Sequence, residues 1–114
     1  MQLTDRVYRL QAANDDHVTY LIYSPADHRI IAFDERWFFD GNMKRPSFAP
    51  SMLDHGDGKS RKRTHFFLTN GMIIYSEGPG AGMSIECPML KDWPEEERRA
   101  WLDPETKGES ENAR

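Results

Sequence analysis

The sequence predicts a mainly β protein of the α+β class, with a small antiparallel sheet or rolled β-sandwich followed by a C-terminal helix. Short runs rich in Val, Ile, Tyr and Thr alternate with polar turn clusters. An Asn70-Gly71 dipeptide separates two apolar runs, which is the usual signal of a tight hairpin. We expect a single compact domain over residues 1–102 and a disordered acidic tail over residues 103–114.

The length, composition and net charge of the chain narrow the class of protein further. A chain of 114 residues with 38% hydrophobic residues suits one domain, as a monomer or a small homo-oligomer. The net charge of −4 has the wrong sign for a general phosphate binder. The single cysteine, Cys87, excludes an internal disulfide framework and predicts a reducing, cytoplasmic compartment. No apolar stretch approaches the ~20 residues that span a bilayer, so we expect no membrane insertion.

The first half of the chain predicts a meander of short strands. Residues 7–10, 17–24 and 29–33 are the first three, and polar turns separate them. Residues 36–39 include three aromatic side chains and end at a turn. The stretch over residues 45–52 contains Pro46 and Pro50, which favours an edge strand or an extended segment.

The central hairpin is the strongest local signal, because Asn-Gly supplies both positive-φ positions of a two-residue type I′ turn. Such a turn fixes the register of the two strands. The predicted pairs are Thr69 with Met72, Leu68 with Ile73, Phe67 with Ile74, Phe66 with Tyr75 and His65 with Ser76. Large apolar groups alternate onto both faces, so we expect a strand pair buried on both sides.

The last third predicts a glycine-rich loop, a short strand and the helix. Residues 77–82 contain three glycines and a proline, which favours a turn. Residues 83–87 are the candidate last strand. Asp92 is the expected N-cap of a helix that runs to Leu102, with Pro94 in its first turn.

Ser51 and His65 are the first candidates for catalytic residues. Adjacent antiparallel strands would bring them close, and a serine needs such a base to attack at neutral pH. Glu77, Asp54 and Asp57 are candidates to orient the imidazole. Ser76 offers the alternative, a structural partner that simply satisfies His65.

Two other readings depend on clusters of polar residues. A basic set could contact an acidic protein or phosphates, with a protein partner favoured over nucleic acid because the nearby aromatics belong to the core. Its members are Lys44, Arg45, Lys59, Arg61, Lys62 and Arg63. A metal reading over Asp54, His55, Asp57, His65 and Cys87 matches no standard zinc spacing, so we expect no metal and no other cofactor.

An ordered string of motifs over residues 37–75 adds a resemblance. Its parts are Trp37 and Phe39, Gly41-Asn42, Arg45-Pro46-Ser47-Phe48-Ala49-Pro50-Ser51, His65-Phe66-Phe67 and Asn70-Gly71-Met72-Ile73. The string resembles a small uncharacterised family of phage and prophage proteins, often mislabelled as ammonia monooxygenase. It is also similar to a peptidase-like protein of bacterial ubiquitin-like conjugation operons.

The resemblance implies Ser51 as nucleophile and His65 as general base. The chain departs from the family at Thr64, where a cysteine is usual, and after the hairpin, where Glu77 and the glycine-rich loop replace an aspartate and a second histidine. Two hypotheses follow, both in the cytoplasm of a bacterial host. The first is a phage accessory or counter-defence protein that binds a host or phage protein. The alternative is a Ser/His hydrolase of the peptidase or isopeptidase kind.

Overall fold

The computed structural model describes residues 2–11, 16–59 and 62–102, with the side chains of the last two residues left aside. The predicted tail over residues 103–114 lies outside this range. The fold is mostly β, with two antiparallel sheets of three and five strands and one short C-terminal helix. The elements are β1 (Tyr8–Leu10), β2 (Thr19–Ser24), β3 (Arg29–Phe33), β4 (Phe38–Phe39), β5 (Phe48–Asp54), β6 (Thr64–Thr69), β7 (Met72–Glu77), β8 (Ser84–Glu86), a 3₁₀ turn (Leu90–Asp92) and α1 (Glu95–Leu102).

The three-stranded sheet has the order β1-β2-β3 and confirms the predicted meander. Alternation along β2 and β3 gives this sheet two apolar faces. Ile22 and Ile31 point to the main core, whereas Leu21 and Ile30 belong to a second cluster on the opposite face. The three-stranded sheet is therefore covered on both sides.

The five-stranded sheet has the order β4-β5-β6-β7-β8 and contains the predicted hairpin. Asn70 and Gly71 have φ angles of 51° and 81°, as a type I′ turn requires. Four predicted pairs are confirmed, from Thr69–Met72 to Phe66–Tyr75. The fifth is wrong, because His65 pairs with Glu77 across a register shift. One extra residue on β7, a β-bulge, accounts for the difference.

The two sheets pack face to face around a core of aromatic and aliphatic side chains. The rings of Phe33 and Phe48, one from each sheet, are stacked with centroids 4.2 Å apart. The hydroxyl groups of Tyr75 and Ser24 form a buried hydrogen bond of 2.7 Å that also joins the sheets. The architecture is thus a small β-sandwich, and burial of these apolar groups is its main source of stability.

The C-terminal segment covers the other face of the three-stranded sheet. Leu90 and Trp93 are 3% exposed and pack against Leu21 and Tyr23. The helix ends at Leu102 as predicted, but Asp92 is not its N-cap. Asp92 closes a 3₁₀ turn instead, and the helix begins at Glu95 because Trp93, the residue before Pro94, has the extended backbone that a following proline favours. No helix in the described ranges has the length and apolar character that a bilayer crossing needs.

The outer face of the five-stranded sheet corrects a further prediction. The hairpin is buried on one side only, since Phe67 is 45% and Ile74 is 41% exposed. Leu53 and Phe38 are exposed as well. We call this surface the outer face and define it by Phe38, Ser51, Leu53, His65, Phe67, Ile74, Ser76 and Ser84. The sequence pattern did not distinguish it from a buried face because its residue types are those of a core.

Candidate functional site

The structure brings Ser51 and His65 into direct hydrogen-bonding contact on the outer face. Their strands are neighbours, and Leu53 lies opposite His65 in the register, so Ser51 is diagonal to the imidazole. The Oγ atom of Ser51 is 2.7 Å from Nε2 of His65. This distance is in the range where a hydroxyl can pass its proton to an imidazole.

An irregularity in β5 sets the position of Ser51. Phe48 pairs with Leu68 and Met52 pairs with Phe66, so three residues of β5 lie opposite the single residue Phe67. The Ala49–Pro50 peptide within this segment is cis. The carbonyl oxygen of Ser51 accepts a hydrogen bond of 3.4 Å from the indole of Trp37, which holds the backbone of the segment against the aromatic side chain.

Ser76 holds the other side of the imidazole. Its Oγ atom lies 2.8 Å from Nδ1 of His65 and donates to the carbonyl oxygen of His65 at 3.2 Å. A hydroxyl has one proton, so an Oγ that gives it to the carbonyl accepts from Nδ1–H. The two contacts are compatible with a ring protonated on Nδ1, in which Nε2 is an acceptor facing Ser51. The three side chains form one hydrogen-bonded chain.

The β-bulge keeps this part of β7 on the outer face. Both Ser76 and Glu77 are exposed, although strict alternation would turn one of them toward the core. Gly78 follows with a φ of 102°. A Cβ atom at Gly78 would lie 2.6 Å from the carbonyl oxygen of Arg63 and 2.9 Å from Cα of Thr64. The close approach of the two strands here requires glycine.

The carboxylates considered as orienting groups have other partners. Glu77 forms an ion pair of 3.0 Å with Arg63 at the end of the hairpin. Asp54 forms an ion pair with Arg29 of β3. Asp57 accepts a hydrogen bond of 2.7 Å from the backbone of Lys59. Ser76 therefore occupies the place that a carboxylate takes in an acid–base triad.

Apolar side chains surround the hydrogen-bonded pair. Leu53 is 37% exposed and lies directly opposite His65. The ring of Phe67 has its centroid 5.4 Å from that of His65. A substrate that reached Ser51 along this sheet would contact carbon on both sides of the imidazole.

The structure does not gather the predicted basic residues into one patch. Lys44 pairs with Asp5 at 2.8 Å, and the backbone of Arg45 lies against the Asn70-Gly71 turn. Arg63 and the exposed Lys62 lie at the opposite end of β6 from that turn. The length of this six-residue strand puts them about 20 Å from the turn. Lys59 is exposed in the loop before β6, and Arg61 lies outside the described residues.

Among the described residues, no group of three or more His, Cys, Asp or Glu side chains is placed to hold a metal ion. Cys87 is fully buried, and its thiol donates to the backbone oxygen of Arg6 at 3.7 Å. Burial raises the pKa of the Cys87 thiol to about 12. Such a thiol is a poor nucleophile and ligand at neutral pH.

The fold and the site define a small antiparallel β-sandwich with a Ser–His–Ser hydrogen-bonded chain on an open sheet face. Comparisons of the chain with protein-family models, with curated proteins and with solved structures gave no match. The resemblance drawn from the motif string over residues 37–75 therefore stays a prediction.

Proposed function

We propose that the protein is a serine hydrolase of acyl bonds, of the peptidase or isopeptidase kind, with Ser51 as nucleophile and His65 as general base. The observation that carries the proposal is the 2.7 Å hydrogen bond between Ser51 Oγ and Nε2 of His65, whose other ring nitrogen, Nδ1, contacts the Ser76 hydroxyl. A neutral imidazole with its proton on Nδ1 is the form that a general base needs.

The reaction follows from this geometry. Ser51 Oγ attacks the substrate carbonyl carbon while its proton passes to Nε2 of His65, which gives a tetrahedral oxyanion and an imidazolium. The Ser76 hydroxyl accepts from Nδ1–H throughout and keeps the ring in place. The imidazolium then protonates the leaving amine or alcohol, which departs and leaves an acyl-serine.

Water completes the cycle by the same route. His65 removes a proton from the water as it attacks the acyl-serine, and returns that proton to Ser51 Oγ when the second tetrahedral intermediate collapses. The products are a carboxylic acid and the amine or alcohol released earlier. Leu53 and Phe67 flank the imidazole, which supports a preference for apolar groups on the acyl side.

The test is labelling of the purified protein with a fluorophosphonate probe, read by intact mass. We expect one adduct on the wild type and none on Ser51→Ala or His65→Ala. Ser84→Ala is the matched control, because Ser84 is exposed on the same sheet and should leave labelling unchanged. A wild type that takes up no probe while folded, or an adduct that persists in Ser51→Ala, would contradict the proposal.

A second candidate function is supported by the exposed apolar groups of the outer face. Phe38 is 71% exposed, and Phe67 and Ile74 are each more than two-fifths exposed. Contiguous exposed apolar groups are typical of protein-binding surfaces. On this basis the protein acts as a phage accessory or counter-defence protein that occupies a host or phage protein without turnover, and nucleic acid is not favoured.

The two functions differ in which variant abolishes them. A pull-down from infected host lysate should recover the same partner with Ser51→Ala as with the wild type if the protein works by occupancy. Phe67→Glu should lose that partner, because it places a charge in the middle of the contact. Loss of the partner with Ser51→Ala alone would count against this second function.

A further inference from the structure

An open groove of about 440 Å³ separates β3 from the second half of β5. Residues 29–32 form one wall and residues 52–54 the other, with Trp37 at the end nearest Ser51. Because the two walls belong to different sheets, the groove is a gap between two sheet edges. The kind of ligand that fits the groove therefore depends on the backbone and side-chain groups along those two edges.

The β3 wall is a sheet edge, because β3 is the last strand in the order β1-β2-β3. The backbone N–H of Ile30 donates to the side chain of Glu97 at 3.2 Å, so it points away from β2. Backbone groups of alternate residues point to the same side of a strand. The N–H and C=O of Ala32 therefore point away from β2 as well, and Ala32 offers the N–H donor of this wall because the Ile30 N–H is already bonded to Glu97.

The β5 wall is an edge over its second half. In the described part of the chain, β4 pairs only with Ala49 and Phe48 of β5, so residues 52–54 have a strand on the β6 side alone. The carbonyl oxygen of Ser51 points away from β6, since it accepts from Trp37. By alternation, the N–H and C=O of Leu53 also point into the groove.

We propose that this groove binds an extended segment of another polypeptide, which adds a strand to one or both edges. Rows of backbone donors and acceptors on an edge strand are the chemistry that recognises an extended peptide backbone. The charged groups of the groove are already paired, Arg29 with Asp54 and Arg36 with Asp34. The groove therefore recognises a backbone and does not select a phosphate or another anion.

Ser51 adjoins the end of the groove at Trp37, whose indole donates to the Ser51 carbonyl oxygen, although Ser51 itself is not a lining residue. Leu53 is two residues beyond Ser51, a distance of about 7 Å along a strand, and the four residues of the β3 wall span about 13 Å. A segment of about four residues that pairs along these walls extends toward the Ser51 hydroxyl. Its assignment as the substrate rests on the proposed hydrolase function, whereas the binding site itself does not.

The experiment uses the full-length Ser51→Ala protein, so that binding is measured without turnover. Immobilised protein selects from a phage-displayed library of random seven-residue peptides, and the enriched peptides are synthesised and titrated by fluorescence anisotropy. Two N-methylated versions of each peptide then block either the odd or the even backbone N–H groups. A strand pairs through alternate N–H groups, so we expect one version to lose at least tenfold in affinity and the other to retain it.

Substitutions in the groove walls test whether the peptide binds in this groove. Ala32 is exposed and lines the groove on the β3 wall, so the larger side chain of Ala32→Trp should crowd a peptide paired with this edge and weaken its binding at least tenfold. Met83→Trp is the control, since Met83 is 51% exposed in a loop that does not line the groove. The proposal is overturned if the library yields no binding peptide, if both N-methylated versions bind alike, or if Ala32→Trp binds as tightly as Met83→Trp. Labelling of Ser51 by fluorophosphonate is scored separately, so the two proposals can fail independently.

Discussion

Ser76 contacts His65 twice, because its hydroxyl lies 2.8 Å from Nδ1 of the ring and donates to the backbone carbonyl of the same residue at 3.2 Å. One hydroxyl therefore bridges the side chain and the backbone of His65. In the proposed hydrolase, a hydroxyl whose proton is used on the carbonyl accepts from Nδ1–H and leaves Nε2 as the acceptor for Ser51. A neutral residue would then take the orienting role that a carboxylate has in an acid–base triad.

Removal of the Ser76 hydroxyl should slow the reaction of Ser51 while leaving the fold intact. We expect Ser76→Ala to lower the fluorophosphonate labelling rate about tenfold, or ~1.4 kcal/mol of activation free energy, because the imidazole loses its fixed tautomer. Ser76→Thr keeps a hydroxyl and should recover most of the rate. Equal rates for Ser76→Ala and the wild type would show that Ser76 does not position His65.

Gly78 should be required for the bulge and for the site. Gly78→Ala places a Cβ against the Arg63 carbonyl in a left-handed conformation, so we expect a loss of about 2–4 kcal/mol in the free energy of unfolding. Gly82→Ala is the matched control, since φ is 88° there and nothing lies within 4 Å. It should cost about 1 kcal/mol. Urea unfolding of both variants measures the difference, and equal losses would contradict the close packing at Gly78.

Asp5 should make the protein sensitive to acid. Burial raises the pKa of the Asp5 carboxyl, but hydrogen bonds from Lys44 and the backbone of Gln2 outweigh it and bring the pKa below its ordinary value. Because the pKa of Asp5 is lower in the folded state, this carboxylate stabilises the protein at pH values above the unfolded pKa of about 3.9. That stabilisation is lost as the pH falls toward the folded-state pKa. As the pH falls from about 5 to about 3, Asp5→Asn should therefore lose less of its unfolding free energy than the wild type does.

Urea unfolding at several pH values measures this dependence. At neutral pH the same variant should be less stable than the wild type by about 1 kcal/mol, because the partner Lys44 is half exposed and its ion pair is screened. Parallel pH profiles for the variant and the wild type would rule out Asp5 as the acid-sensitive group.

Cys87 should be inert while the protein is folded. Its pKa of about 12 lies far above that of a free thiol, so at a given pH the thiolate population is about a thousandfold lower. We expect the folded protein not to react with 5,5′-dithiobis(2-nitrobenzoate) over minutes in buffer. In about 6 M guanidinium, which unfolds most domains, one thiol per chain should react. Fast reaction of the folded protein would contradict the buried position of Cys87.

Sequence reasoning recovered the fold where local chemistry fixes it. The Asn70-Gly71 turn predicts the register of the hairpin, and the antiparallel pairing of neighbouring strands predicts Ser51 close to His65, as the structure shows. The bulge was missed because the signal for it, a glycine after two exposed polar residues, looks the same as the start of an ordinary loop. The register at His65 was wrong by one residue for that reason.

The burial prediction was wrong because the pattern of residue types does not say which face a second sheet covers. Phe67 and Ile74 have the composition of a core, yet the three-stranded sheet packs on the opposite face. The sequence marks Ser76, the residue in contact with Nδ1 of His65, only as a structural alternative, because a serine carries no charge to single it out. A search for hydroxyl groups opposite a candidate histidine, as well as for carboxylates, would have put Ser76 first.

The position of Ser51 and His65 among exposed side chains of the outer face has a kinetic consequence for the proposed hydrolase. A small ester bound there leaves the oxyanion in contact with bulk water, where its hydrogen bonds to the protein count for little. A macromolecule that lies across Leu53 and Phe67 displaces that water and supplies the missing wall itself. Turnover should then rise with the size of the acyl donor, so the substrate takes the part that a lid plays in enzymes with closed active sites.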